Sequence, residues 1–286
     1  MSAPVLPTLL WHGWGPAWTV DVEAGLALLL YTVGVRRARS PWPARRTLAF
    51  GAGVACIVVA LQSGIDGFDD RMLSVHMVQH LLLLELAPLL LLASRPGLLF
   101  LRAAPRSARP WLVRRLDTLR PVTHPVACLL VFSVIVIATH LPGFYDATLR
   151  HPALHDAEHV LYLLAGVLMW WPLLDADPLA RRRLNGMTRL AYLIAAMVPM
   201  TLLGAYLNRH TSLVYAGYAA PARALGISAV VDQQQAGAIM WVLGSTLMIA
   251  AGLWQAMAAM VEEERRMVVR ERAAAVGVGL ERRREP

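Results

Sequence analysis

Seven stretches of the chain are apolar over about the 20 residues that an α-helix needs to cross a bilayer. They are 18–35, 46–64, 72–93, 125–141, 153–174, 188–208 and 233–260, and short polar connections separate them. No period-two alternation runs through them, so a membrane barrel is not indicated. Lipid offers backbone polar groups no partner, so each stretch must be helical. The pattern predicts an all-α, polytopic membrane protein: a seven-transmembrane-helix bundle over 1–260, followed by a charged, fraying helical tail at 261–286.

Arginine orients the bundle. All 27 basic residues are Arg, and 23 of them fall in loops 36–46, 94–124 and 175–189 or after residue 260. The positive-inside rule puts that side in the cytoplasm, with the N-terminus outside and the C-terminus inside. Residues 1–17 lack the basic region of a signal peptide. Trp11, Trp14 and Trp18 read as an outer aromatic belt, and Trp170 and Trp171 as an inner one. The expected location is a bacterial plasma membrane.

Composition agrees with this reading. The chain is 57% hydrophobic and 16% charged, whereas soluble domains average about 25% charged. An ordinary cytosolic enzyme and a disordered chain are both excluded. The net charge of +8 is an orientation signal and a contact for membrane lipid rather than a nucleic-acid footprint. Cys56 and Cys128 lie far apart in apolar runs and offer neither a disulfide framework nor a CxxC site.

Candidate chemistry enters with the histidines. Eight of the nine fall towards the outer side, His124 being the exception. His76 and His80 are four residues apart, as are His155 and His159. At about 100° per residue each pair shares a helix face. The segments His76–His80 and His155–His159 both read His-x-x-Gln/Glu-His at matching depth, so two facing helices would offer four imidazoles. His140 could supply a fifth. Asp232 is a further ligand, an acceptor for a ring N–H, or a helix N-cap. A lone intramembrane histidine often only bonds across helices, but a paired arrangement points to a metal. Met72 or Met77 could add a soft thioether. Met197 and Met200 read as packing beside Pro199, and Pro88 as a kink. Glu85 lies on the far side of its helix from His76, where a buried hydrogen bond is the expected role and a proton role the alternative.

The order His76-Met-Val-Gln-His80, Thr139-His140-Leu-Pro, His155-x-x-Glu-His159 followed by Trp170-Trp171-Pro172, and Asp232-Gln-Gln-x-Ala-Gly resembles the multi-pass CtaG family of cytochrome c oxidase assembly factors, over roughly residues 11–255. The resemblance implies a seven-helix protein needed for biogenesis of haem–copper oxidases, with copper delivery as its suspected role. Its motif positions here are His76, His80, His140, His155, His159 and Asp232. Copper is then the favoured metal and oxidase subunits the expected partners, with the copper donor unidentified. Imidazoles also suit zinc and haem iron. A haem-binding or electron-transfer protein and a metal-free assembly scaffold are therefore the alternatives. The HxxEH pattern at 155–159 matches an inverted zinc-hydrolase motif only weakly. No nucleophile–base pair appears, and an enzyme is not expected.

Overall fold

The computed structural model describes residues 13–15, 17–176 and 184–282, and every regular element among them is helical. Trp11, His12, Arg181, Arg182 and Arg183 lie outside the described residues. Helices α1 (Trp18–Arg37) and α2 (Ala44–Gln62) come first. Next is α3 (Leu73–Leu81), which runs through a π-helical turn at Leu82–Leu86 into α4 (Ala87–Ala93) and then α5 (Pro96–Ala103). The short α6 (Arg109–Thr118) leads to α7 (Pro125–Thr139), α8 (Pro142–Thr148), α9 (Pro152–Leu173) and α10 (Gly186–Arg209). A 3-10 turn at Ala216–Tyr218 and the short α11 (Ala219–Ala224) precede α12 (Ala229–Ala238). A second π turn at Ile239–Leu243 joins α12 to α13 (Gly244–Arg282). Each expected apolar stretch thus begins or ends within a few residues of a helix boundary.

Among the described residues the number of helices that can span is lower than seven by length and composition. Five qualify: Trp18–Arg37, Ala44–Gln62, Leu73–Ala103, Gly186–Arg209 and Ala229–Ala258. A sixth appears if α7 and α8, bent by 74°, are taken as one. The expected fifth span falls on α9, which is 22 residues long but is not among them. Its first turns carry His155, Asp156, Glu158 and His159, and these polar groups dilute its apolar character.

Residues up to Met248 form one compact unit; from Ile249 the chain is a separate unit, helical through Arg282. In the first unit, large apolar side chains crowd both the interior and the outer faces. Phe132, Tyr162, Met169 and Trp170 are wholly buried, while Leu26, Leu29, Val134, Leu164 and Leu202 are exposed. Apolar outer faces fit lipid contact. Trp170 belongs to the core, which corrects its assignment to an interfacial belt.

Glycine lets two helix pairs approach closely. A Cβ on Gly166 of α9 would meet the Leu84 carbonyl and Pro88, so α9 lies against the π turn of the third span. Gly204 of α10 and Gly237 of α12 face each other in the same way, each against the other's carbonyl. Small residues at such crossings are a common device of membrane helices. Asn208 Nδ2 adds a 2.8 Å hydrogen bond to the Gln234 carbonyl. α12 packs in turn against α3.

Candidate metal centre

The helical repeat sets the first pair. His76 and His80 project from one face of α3, and their Nε2 atoms are 2.6 Å apart. At that distance the two nitrogens either hold one proton between them or turn together onto a cation. Both side chains are buried. Tyr218 fixes the tautomer of His76. Its hydroxyl donates to the Asp69 carbonyl at 2.7 Å and lies 2.9 Å from His76 Nδ1. Its one proton is thereby used, so Nδ1–H of His76 must donate to the hydroxyl oxygen. Nε2 is left with a free lone pair facing His80, the second-sphere arrangement usual for ligating histidines.

The second pair comes from α9. The His155 ring lies 5.2 Å from His76 and 4.2 Å from His159. Glu158 Oε2 is 4.0 Å from His80 Nε2. One ligating atom from each of His76, His80, His155 and Glu158 falls within 4.8 Å of the others. Asp69, His155 and His159 form a second such group, in which His155 Nε2 is 3.6 Å from Asp69 Oδ2. His155 is common to both, and its side chain, at 19% exposure, is the most open member.

Unpartnered atoms mark where a cation fits. Among the described residues His80 Nδ1, His155 Nε2, His159 Nε2, both Glu158 oxygens and Asp69 Oδ2 are buried without a hydrogen bond. Buried polar atoms are nearly always paired, so this concentration at one place fits a donor set built for a cation. Asp69 lies in the loop before α3. Burial, with Asp66 and Asp70 nearby, pushes its carboxyl up to about 8. Burial likewise raises Asp66 to about 6.

His140 caps the C-terminus of α7, with its ring 6.2 Å from that of His80. Its Nδ1 donates to the Val136 carbonyl at 2.8 Å, and Nε2 is buried without a partner. It belongs to the cluster's wall but to neither four- nor three-atom group. Asp232 is placed elsewhere. Its carboxylate accepts from the Leu73 and Ser74 amides and the Ser74 hydroxyl at 2.6, 3.3 and 2.5 Å. It thus caps α3 from a neighbouring helix, whereas Ser228 caps its own. Gln79, the analogue of Glu158, donates to the Ala60 carbonyl and Asp66 and serves packing. Met72 sits in an apolar cluster with Ile65 and Val75. His124, His151 and His210 stand at helix ends and belong to neither group. Glu85 joins neither group, and among the described residues its oxygens make no hydrogen bond, which corrects the expectation of one.

Two ligand candidates lay outside the sequence-derived set. Glu158 is one turn from His155, an i, i+3 relation that was open to the same helical argument. Asp69 comes from an irregular loop and carries no periodic signal. Nor did the sequence single out the buried tyrosines. Tyr145 packs 5.1 Å from His76 and 5.8 Å from His140, and Tyr162 packs 4.3 Å from His80. Tyr215 donates to the His140 carbonyl. Together they form an aromatic wall.

Comparison with known proteins agrees with the motif order. An uncharacterised protein of Mycobacterium leprae is 27% identical over 272 residues, covering 89% of this chain and 41% of its own length. An uncharacterised protein of Mycobacterium bovis is 28% identical over 245 residues, covering 79% of this chain and 37% of its own. The chain therefore spans about two fifths of the length of these relatives. No solved structure matches. The family model described as cytochrome c oxidase caa3 assembly factor (Caa3_CtaG) matches residues 29–261, and the chain belongs to that family.

Proposed function

We propose that this chain is a seven-helix protein of a bacterial plasma membrane that binds copper in its outer histidine cluster and passes it to a cytochrome c oxidase subunit during assembly. The reading counts α9 as a span, places the Arg-rich loops in the cytoplasm, and ends the membrane domain near residue 260. Copper is cargo, so the role is delivery rather than turnover. The observation that carries the reading is the convergence of His76, His80, His155 and Glu158 within 4.8 Å, amid buried atoms that lack partners.

The two groups imply a route. A cation arriving from the outer side meets Asp69, His155 and His159 first. Rotation of the shared His155 ring hands it inward to His76, His80 and Glu158. Release to a client reverses the order. Three imidazoles with a carboxylate suit Cu(II) and Zn(II) equally as donors, and family membership favours copper.

A haem is a poorer fit. The His76 and His80 rings are 4.0 Å apart, and His76 and His155 are 5.2 Å apart. Tyr145 and Tyr162 fill the flanks. No slot for a macrocycle separates the pairs. A hydrolase needs an open water position beside its base, and Glu158 is wholly buried.

Oxidase assembly tests the function. In a cell lacking its own factor, His80→Ala and His159→Ala are expected to abolish assembled oxidase activity at normal protein level, while His124→Ala behaves as wild type. Added copper is expected to restore part of the loss, because mass action replaces a carrier but not a scaffold. Equal activity of the His80 and His124 variants would leave a metal-free scaffold as the better account.

A further inference from the structure

The third span carries one acid deeper than its histidines, and the metal centre makes no use of it. Glu85 is wholly buried within the π turn Leu82–Leu86. Neither of its oxygens has a hydrogen-bond partner among the described residues. Opposite it lies Gly244, the residue that follows the second π turn, Ile239–Leu243. A Cβ at Gly244 would stand 3.0 Å from Glu85 Oε1, 3.1 Å from the Met200 methyl and 3.3 Å from Leu81. The missing side chain therefore makes the space that the carboxyl uses. The helices packed against the Leu82–Leu86 turn carry Arg45, Arg46, Cys56, His76, His80, His155, Asp156, Glu158, His159 and Tyr162 as titratable or charged groups. None of them hydrogen-bonds to Glu85.

A carboxylate with no partner is strongly disfavoured in such a place, and a neutral carboxylic acid is not. A π turn interrupts the regular backbone ladder and is a frequent mark of function. Here one such turn carries the buried acid, and a second ends at the glycine opposite it. We propose that Glu85 is an intramembrane proton-binding site, taking a single proton, whose occupancy sets the packing of the span that carries His76 and His80. With the proton bound, the carboxyl fits beside Gly244. Without it, the charge draws in water, and the Leu82–Leu86 turn parts from the helix at Gly244 to admit it. Because α3 runs directly into the Leu82–Leu86 turn, that parting shifts the helix bearing the two histidines. The site stands independently of the metal and its identity.

Dicyclohexylcarbodiimide, an apolar reagent that adds to protonated carboxyls, tests it on the full chain in membranes. The acid proton passes to a reagent nitrogen and the carboxyl oxygen bonds to the central carbon, with no leaving group and no redox change. Mass spectrometry is expected to find the adduct on Glu85 near neutral pH. It is expected to fade at alkaline pH and to be lost at that position in Glu85→Gln. Hydrogen–deuterium exchange over residues 73–93, corrected for intrinsic rate, is expected to rise at alkaline pH in the wild type and not in Glu85→Gln, whose amide cannot ionise. No adduct on Glu85, an adduct indifferent to pH, or equal exchange in the two proteins would overturn the proposal.

Discussion

Tyr218 shows how a single hydroxyl disposes a ligand. By donating to the Asp69 carbonyl it obliges His76 to present an unprotonated Nε2. Tyr218→Phe is expected to weaken copper binding roughly 10- to 100-fold, the usual effect of losing an outer-sphere partner. Competition titration against a chelator would show it, with helix content unchanged; unaltered affinity would remove the tyrosine from the account. Asp232 makes the opposite kind of contribution. Its three hydrogen bonds hold the first turn of α3, so Asp232→Ala is expected to lower stability by about 2–4 kcal/mol, the range for stripping a buried charged acceptor from its donors. Asp232→Asn, which keeps one acceptor oxygen, is expected to recover part of that stability and to bind copper. Loss of copper from a folded Asp232→Asn protein would make Asp232 a ligand after all. At this scale the paired histidines were legible because helical spacing alone puts i and i+4 on one face. Asp69 and Tyr218 were not: Asp69 comes from a loop with no periodic signal, and Tyr218 stands 142 residues beyond His76. The role of Asp232 was illegible for the same reason. Its partners are some 158 residues earlier, and spacing within its own helix says nothing of them.

Gly166 bears on how helices position the pairs. It allows α9 to lie against the Leu84 carbonyl, which sets the distance between His155 and the α3 histidines. Gly166→Val is expected to force the helices apart, costing about 1–3 kcal/mol as overpacking does, and to reduce copper affinity without touching a ligand. A variant of normal affinity and stability would show that the crossing tolerates a side chain. Helix positions were readable from the sequence because apolar length and flanking arginines define them with little help from tertiary contacts. The two π turns were not, since a run such as Leu82–Leu86 reads equally well as regular helix. Trp170 was misplaced because a tryptophan near a helix end looks the same whether it meets headgroups or the core.

For the whole molecule, we propose from the arginine distribution that the loops 36–46, 94–124 and 175–189 face the cytoplasm. A reporter active only in the cytoplasm is expected to be silent when fused ahead of Trp18 and active when fused after Glu262. The reverse result would turn the histidine cluster towards the cytoplasm and contradict delivery on the outer side. A metal held by imidazoles must compete with protons, whose affinity for a free histidine is centred near about pH 6.5. Copper affinity is therefore expected to fall as the medium is made acid, with the steepest loss below that value. The central claim is that His76, His80, His155 and Glu158 form one copper site. Elemental analysis of the purified full chain after copper loading and removal of loosely bound ion tests it most directly. The account predicts close to one copper per chain in the wild type and almost none in the folded His76→Ala/His80→Ala protein. Equal copper in the two would contradict it.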